Sequence, residues 1–521
     1  MRVALCAMPE VSPWIRGEGW HIPNLALCNV AGNTPGHDVV VFDLNRRRRH
    51  LRRAVEKILD RFDPHILGLS AMTFQYDTAR AIAWLAKQRN PQTVTVLGGY
   101  HASMLHREIA ASWDHNIIDW IVRGEGDRAI AEIIEVITRV REPSQVLGAS
   151  FKDGDDYHHN DDRPLQDLAT LELPARHRRA YIGAHLGLWP ADVIETSRGC
   201  TLACNFCSMN TMYGKSHRFF PTDYVLRDIE QLSQRFAKEV FCADDNITND
   251  LVRLEALCDA IIAQRPKLRT KLRITAQATC AGIAQSQQLV DKLAQAGVTK
   301  VFLGIENASS KTLKEIKKGD IVELTKTAVS RLHQAGIICV GGCIVGFPDD
   351  DVETIRKNFE FFKALGLEHT TPQIITPYPG TGSREIALRE GYVTNDDDLR
   401  WYNDFWANVR TKHLSSSELE YWRWKLARDV IGPFRATEVY QKHYPVASQV
   451  WNHAFMPAYK LFDRTLTRTL GERRRYERAM ESFRQMDVFD LDPPPVPFRI
   501  KTLPLRKRSF SMKGLQQRSA T

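Results

Sequence analysis

Three cysteines in the run Ser197-Arg-Gly-Cys200-Thr-Leu-Ala-Cys204-Asn-Phe-Cys207-Ser208 constrain this chain more than any other feature. Their C-x3-C-x2-C spacing places three thiolates on one short loop. A four-iron, four-sulfur cube held this way keeps one iron without a protein ligand, open to a small molecule. Two other readings compete. A structural zinc site takes four ligands, usually as two separated pairs, yet no second C-x-x-C occurs and no H-x3-5-H pair follows the triad. Inert buried thiols are the other alternative, but free cysteines seldom crowd three into eight residues.

With 521 residues the chain has length for two or three domains and ample core. Ten cysteines and no signal peptide point to a reducing, cytoplasmic compartment. No apolar run approaches the roughly 18 residues that span a bilayer. The net charge of +9 is concentrated in Arg46 to Arg49, Arg473 to Arg475 and Arg506-Lys507-Arg508. Such runs read first as solvated faces or tails, and second as attraction to anionic lipid or an acidic substrate. No module for nucleic acid is visible.

The pattern predicts an α/β chain: a doubly wound parallel sheet at the amino terminus, then a partial β/α barrel, then a mainly helical carboxyl-terminal region. Strand-like runs at Arg2–Cys6, Asp38–Phe42, Ile66–Ser70, Thr93–Leu97 and Ile117–Val122 alternate with helical stripes such as Leu51, Val55, Ile58 and Leu59. In such sheets ligands gather beyond the carboxyl ends of the strands. Three turns there are candidates: Ser70 with Thr73, Gly98-Gly99-Tyr100-His101, and Arg123-Gly124-Glu125-Gly126. Residues 145–190 read as a connector, with Lys152–Asp162 as an exposed polar hairpin.

From Asp192 onward about six β-α units follow. The strands are expected at Val193–Ser197, Glu239–Ala243, Leu272–Ala276, Lys300–Gly304, Ile337–Val345 and Thr371–Ile375. Ile355, Phe359 and Phe362 form a helical stripe. Catalytic groups of β/α barrels gather at the carboxyl ends of the strands. The expected division is 1–144, 145–190, 191–400, an aromatic helical region 401–490, and a loosely packed, proline-rich and basic tail 491–521. Cys242, Cys258, Cys280, Cys339 and Cys343 read as small core residues, with Cys343 the one to test for catalysis.

The cysteine triad, with the aromatic Phe206 before its last member, resembles that of the radical S-adenosylmethionine (SAM) enzymes. The order of the amino-terminal turns is similar to the cobalamin-binding domain that precedes many such cores. The resemblance covers about residues 1 to 400. It implies a [4Fe-4S] cluster on Cys200, Cys204 and Cys207, SAM chelated at the open iron, and cobalamin held by Ser70, Thr73, Gly98, Gly99, Tyr100, Gly124, Glu125 and Gly126. For SAM it implies contacts from Phe206, Asp244, Asp245, Asn246, Gln277, Glu306, Gly341, Gly342 and Gly346. Tyr378, in the turn Thr376–Thr381 bordering the substrate cavity, and Cys343 are the catalytic candidates. The D-x-H-x-x-G motif that brings a histidine to cobalt is absent: the segment after the first strand reads Met8-Pro-Glu-Val-Ser-Pro-Trp14.

The implied activity is methyl transfer to an unactivated carbon of a small-molecule or lipid-like substrate, through a 5′-deoxyadenosyl radical and methylcobalamin. An electron donor such as ferredoxin or flavodoxin is the expected partner. The layout also resembles the anaerobic magnesium-protoporphyrin monomethyl ester cyclase group, an oxidative ring closure with the same cofactors. A non-catalytic cobalamin or redox sensor is the third reading. The basic tail suggests peripheral contact with anionic membrane.

Overall fold

A computed structural model describes residues 1–9, 22–181, 185–186, 189–432, 434–485 and 489–500. Residues Glu10 to Trp14 of the segment after the first strand, and the basic end from Lys501, lie outside the described residues.

The amino-terminal sheet is built on β1 (Arg2–Ala7), whose five residues after Arg2 are all buried. Around it stand β2 (Asp38–Asp43), β3 (Ile66–Ser70), β4 (Val94–Gly98) and β5 (Trp120–Val122) in the order β2-β1-β3-β4-β5, all parallel. Strands buried on both faces read as continuous apolar runs, as these do. The order reverses between β1 and β3, which opens a crevice beyond Ala7 and Ser70, register partners at the strand ends. The polar hairpin forms as β6 (Ala149–Asp153) and β7 (Asp156–His159). It is no free connector, however: β6 pairs antiparallel with β5 and extends the sheet to seven strands.

The second sheet runs β8 (Trp189–Ile194), β9 (Glu239–Cys242), β10 (Arg273–Thr279), β11 (Val298–Glu306), β12 (Ile338–Val345) and β13 (His369–Ile374) in sequential parallel order, with His185–Leu186 paired outside β8. Strict alternation along β10 turns Ile274, Ala276 and Ala278 to the helices and Thr275, Gln277 and Thr279 to the concave side. Ile355, Phe359 and Phe362 are fully buried on helix Val352–Ala364.

The carboxyl-terminal region closes the half-barrel from below. Glu239, 1% exposed, accepts from Arg273 Nε at 2.6 Å, Lys300 Nζ at 3.1 Å and the Tyr444 hydroxyl at 2.8 Å. Two cations and a phenol around one carboxylate satisfy a charge that would be costly alone.

The expectation of a loose segment from 491 is corrected for its first ten residues. Phe498 packs edge-on to Tyr76 and His101, Arg80 donates to the Val496 carbonyl at 2.6 Å, and Arg52 pairs with Asp492. The four prolines between 493 and 497 preclude helix, but extended chain still buries Phe498 against the first domain. Removing that ring should cost about 3 kcal/mol of local stability. We therefore expect Phe498→Ala to accelerate amide hydrogen exchange in β3 and β4 while leaving the barrel strands protected.

Candidate functional site

The first cradle lies at the crevice of the amino-terminal sheet, a cavity of about 380 Å³. Its floor is bare backbone and small side chains: Gly68, Ser70, Gly98, Gly99, Gly124 and Gly126. A β-carbon at Gly98 or Gly124 would meet nothing within 4 Å, so both face open space. Gly99 has φ +94°, and a β-carbon there would press on the Ala71 carbonyl oxygen at 2.7 Å. These residues let a ligand approach bare backbone at the carboxyl ends of the strands. Two residues expected at this cradle take other places. Thr73 is buried outside the lining, and Gln75 takes the wall position. Glu125 turns the other way, as described below. His101 is no ligand: it is fully buried, stacked on Tyr76 at 4.0 Å, and burial lowers its pKa to about 3.

The cysteine loop stands over the opposite wall. Helix Met209–Tyr213, which follows Cys207, sends Met212 and Tyr213 into the lining of the same cavity. The Tyr100 hydroxyl donates to Met209 Sδ at 3.5 Å. Burial pushes the Cys207 thiol up to about 11. Burial also raises Cys204, and the Lys318 ammonium draws it back toward thiolate.

The acidic turn after β9 supports this loop from beneath. Asp244 is fully buried and accepts from Thr196 N, Thr196 Oγ1 and Ser197 Oγ at 2.5–2.6 Å. Asn246 caps the turn Ile247–Asn249 through Thr248 N. Both are corrected from ligand contacts to loop supports, because their polar atoms are spent locally. Asp245 accepts from Gly199 N at 2.9 Å and lies near enough to Tyr100, Tyr213 and Cys207 to raise their pKa values. It is the member of the trio that borders the site. Phe206 is half-buried against the barrel core.

On the concave side of the barrel, Glu306 ends β11 with φ +65°, the left-handed region that a glutamate rarely adopts. Its carboxylate accepts from Lys318 Nζ at 2.9 Å. A β-carbon at Gly304 would meet both charged ends, and one at Gly342 would meet Phe302 and Glu306 Oε2. Gly304, Gly342 and Glu306 thus share one face, with Gln277, whose amide donates to the Asp244 carbonyl at 3.2 Å, on the neighbouring strand. Gly341 and Cys343 lie on the other side of β12. A β-carbon at Gly341 would meet Leu367 and Phe362, and Asn358 of the outer helix donates to the Cys343 sulfur at 3.4 Å. The side-chain period of two makes this unavoidable: Gly341 serves helix packing, and Cys343 is corrected from catalytic candidate to core residue. Gly346 has φ +96°, and a side chain there would meet Leu419 and Ile374 rather than an open cavity. Its N–H donates to Asp350 at 2.7 Å, as does that of Phe347 at 3.0 Å.

Tyr378 stands where the turn after β13 meets the cysteine loop. Ser383 N donates to the Asn205 carbonyl, and Thr211 Oγ1 to the Gly380 carbonyl. Asp404, with φ +62°, lies near enough to Tyr378 to raise the pKa of its hydroxyl further, and burial raises the Asp404 carboxyl itself to about 6.

Sequence reasoning missed the residues that join the two cradles. Arg198 is 7% exposed and donates to Glu125 at 3.1 Å, to both Asp127 oxygens at 2.8 and 3.0 Å, and to both Glu195 oxygens at 3.1 Å. Arg218 adds two bonds to Glu125 at 2.8 and 3.0 Å. Glu125, expected to face the corrin, therefore ties its turn to the residue two before Cys200. The one available signal was the Arg198-Gly199 pair inside the cysteine motif. Lys318 and Asp350 lie in ordinary charged runs and gave none.

Two outcomes test these assignments. Arg198→Ala leaves three carboxylates facing one another in a buried seam, and we expect a loss of about 3–5 kcal/mol in urea unfolding, with Arg198→Lys recovering part. Asp350 is the second test. Burial raises its pKa from 3.8 to about 6, so the folded chain holds the proton more tightly and loses stability as pH rises through that window. Asp350→Asn should gain stability relative to the parent between pH 4 and 7, by at most about 3 kcal/mol.

Known proteins match over most of this chain. The Radical SAM superfamily model matches residues 194–362 and the B12 binding domain model matches residues 19–134. The chain is 28% identical over 428 residues to an uncharacterised methyltransferase of Pyrococcus horikoshii, covering 80% of this chain and 90% of that one. It is 25% identical over 438 residues to the anaerobic magnesium-protoporphyrin IX monomethyl ester cyclase of Synechocystis, covering 81% and 83%. The radical SAM methyltransferase TsrM of Kitasatospora setae, solved with cobalamin and a [4Fe-4S] cluster, shares the fold with a TM-score of 0.61 at 18% identity, over 86% of this chain and 88% of that one. The two cradles, their order along the chain and both domain matches agree, and with them come a [4Fe-4S] cluster, SAM and cobalamin as cofactors: the chain belongs to the cobalamin-binding radical SAM enzymes.

Proposed function

We propose that this enzyme transfers a methyl group to an unactivated carbon of a small-molecule or lipid-like substrate. One observation carries the reading: the helix that follows the cluster cysteines lines the cobalamin cradle through Met212 and Tyr213. When bound, SAM at the cluster supplies a radical able to take hydrogen from carbon, and cobalamin supplies the methyl group.

The protein's own part is position. Cys200, Cys204 and Cys207 would hold the cluster, with Lys318 favouring the thiolate of Cys204. Glu306, held by Lys318 beside bare Gly304 and Gly342, offers carboxylate oxygens to ribose hydroxyls on the concave face. Asp350 fixes the Gly346–Phe347 turn. Asp404, close to Tyr378 in the turn after β13, is a buried carboxyl that can hold a proton near neutral pH. Alignment of two reacting centres to near-attack geometry is worth several powers of ten, and the arginine-bridged seam favours it. The electron required is expected from a ferredoxin or flavodoxin.

The 25% identity with the cyclase across 81% of the chain supports a second reading, oxidative ring closure on a tetrapyrrole with the same cofactors. Product mass separates them: methylation adds one methylene, whereas cyclisation adds oxygen and closes a ring.

The decisive assay begins with anaerobic reconstitution using iron, sulfide and hydroxocobalamin, followed by SAM and a strong reductant. We expect 5′-deoxyadenosine from the parent. Cys204→Ala should reduce it to background while retaining bound cobalamin. Loss of cobalamin from the parent itself would remove methyl transfer through cobalt.

A further inference from the structure

We propose that the helical rod spanning residues 445–470 is a docking face for an anionic membrane surface. The rod comprises Pro445–Val450, a wider turn at Trp451–Phe455, and Met456–Leu470. One side of it is anchored. The Trp451 ring N–H donates to the Phe434 carbonyl at 3.2 Å, Asn452 reaches the Ala436 carbonyl, and Arg475 pairs with Asp463 and bonds Thr467.

The other side is apolar and uncovered. Val446 is 73% exposed, Val450 59%, Phe455 48%, Leu461 69% and Phe462 63%. At about 3.6 residues per turn, opened slightly through the wider turn, these five follow one stripe. Single exposed apolar residues need no explanation, but a contiguous stripe does.

Charge identifies the occupant. Lys460, Arg464 and Arg468 are exposed along the same helix. Among the described residues none of them has a carboxylate partner. The sole carboxylate between residues 445 and 470 is Asp463, and Arg475 already neutralises it. An apolar stripe bordered by unpaired cations is the signature of a helix lying in the headgroup region. A second copy of the chain fits poorly. A two-fold contact through this stripe would set the same three cations of each chain against those of the other, with no free acid on the rod to separate them.

This proposal rests on the stripe and its charges, not on the substrate reading. The test is sedimentation of the full-length holoenzyme with vesicles of phosphatidylcholine alone or of phosphatidylcholine with an equal part of phosphatidylglycerol. We expect binding to the anionic vesicles only. Leu461→Glu with Phe462→Glu should abolish it. Lys460→Ala, Arg464→Ala and Arg468→Ala should each weaken it about fivefold, and together on the order of a hundredfold. Unchanged circular dichroism and cobalamin content would show that these surface variants still fold. Three results overturn the proposal: no vesicle binding by the parent; binding that survives both sets of substitutions and disappears only when residues 501–521 are removed; or a dimer in sedimentation velocity that Phe462→Glu dissolves. None of these requires turnover, so failure here leaves the methyl-transfer reading untouched.

Discussion

The buried guanidinium of Arg198 is the interaction on which the rest depends. It lies between two units that each have their own sheet and core, and it donates to carboxylates of both. A cation taken out of water in this way is tolerable only if its partners satisfy it completely, and Glu125, Asp127 and Glu195 do. The geometric result matters more than the energy. Arg198 is two residues from Cys200, and Glu125 is the central residue of the Gly124–Gly126 turn. The cluster loop and the cobalamin turn therefore cannot move independently. A second buried arginine repeats the device: Arg176, 1% exposed, joins the linker after β7 to Asp192 and Asp228 of the barrel.

Around that seam the polar groups divide into two kinds. Asp244, Asn246, Asp350 and Glu125 are spent on backbone or on arginine, and they shape loops. Glu306 and Gln277 lie on the concave side of the barrel, and Asp245 lies beside Tyr100, Tyr213 and Cys207. Glu306 and Asp404 both hold left-handed backbone despite their side chains, and strain of that kind persists only where surrounding contacts enforce it. The carboxyl-terminal region contributes at three points: Tyr444 beneath the barrel, Asp404 close to Tyr378, and Phe498 on the outer face of the first domain.

Much of this was legible because it is local. Alternation and strand length placed both sheets within a few residues of their observed bounds, and the cysteine spacing marked its loop without any tertiary information. What was not legible is which side of a strand or turn a residue serves. Gly341 and Gly342 are neighbours in sequence, yet one faces a helix and the other the barrel interior. Glu125 sits between two glycines that border the cavity, and its own side chain points to arginines 73 and 93 positions away. Lys318 stands in a charged run, and its carboxylate partner Glu306 lies on the strand before it; Asp350 stands in an acidic run, and only the folded turn brings the Gly346 and Phe347 amides onto its carboxylate.

By itself the sequence determined the class of fold and the loop of three thiolates, which are properties of periodicity and spacing, and the family those motifs resemble implied the cofactors. Only the tertiary structure decided which polar residues border the shared site, and that the proline-rich segment from 491 packs back on the first domain. The reason is physical: side-chain direction and the satisfaction of a buried charge depend on groups distant in the chain, and no local pattern encodes the partner.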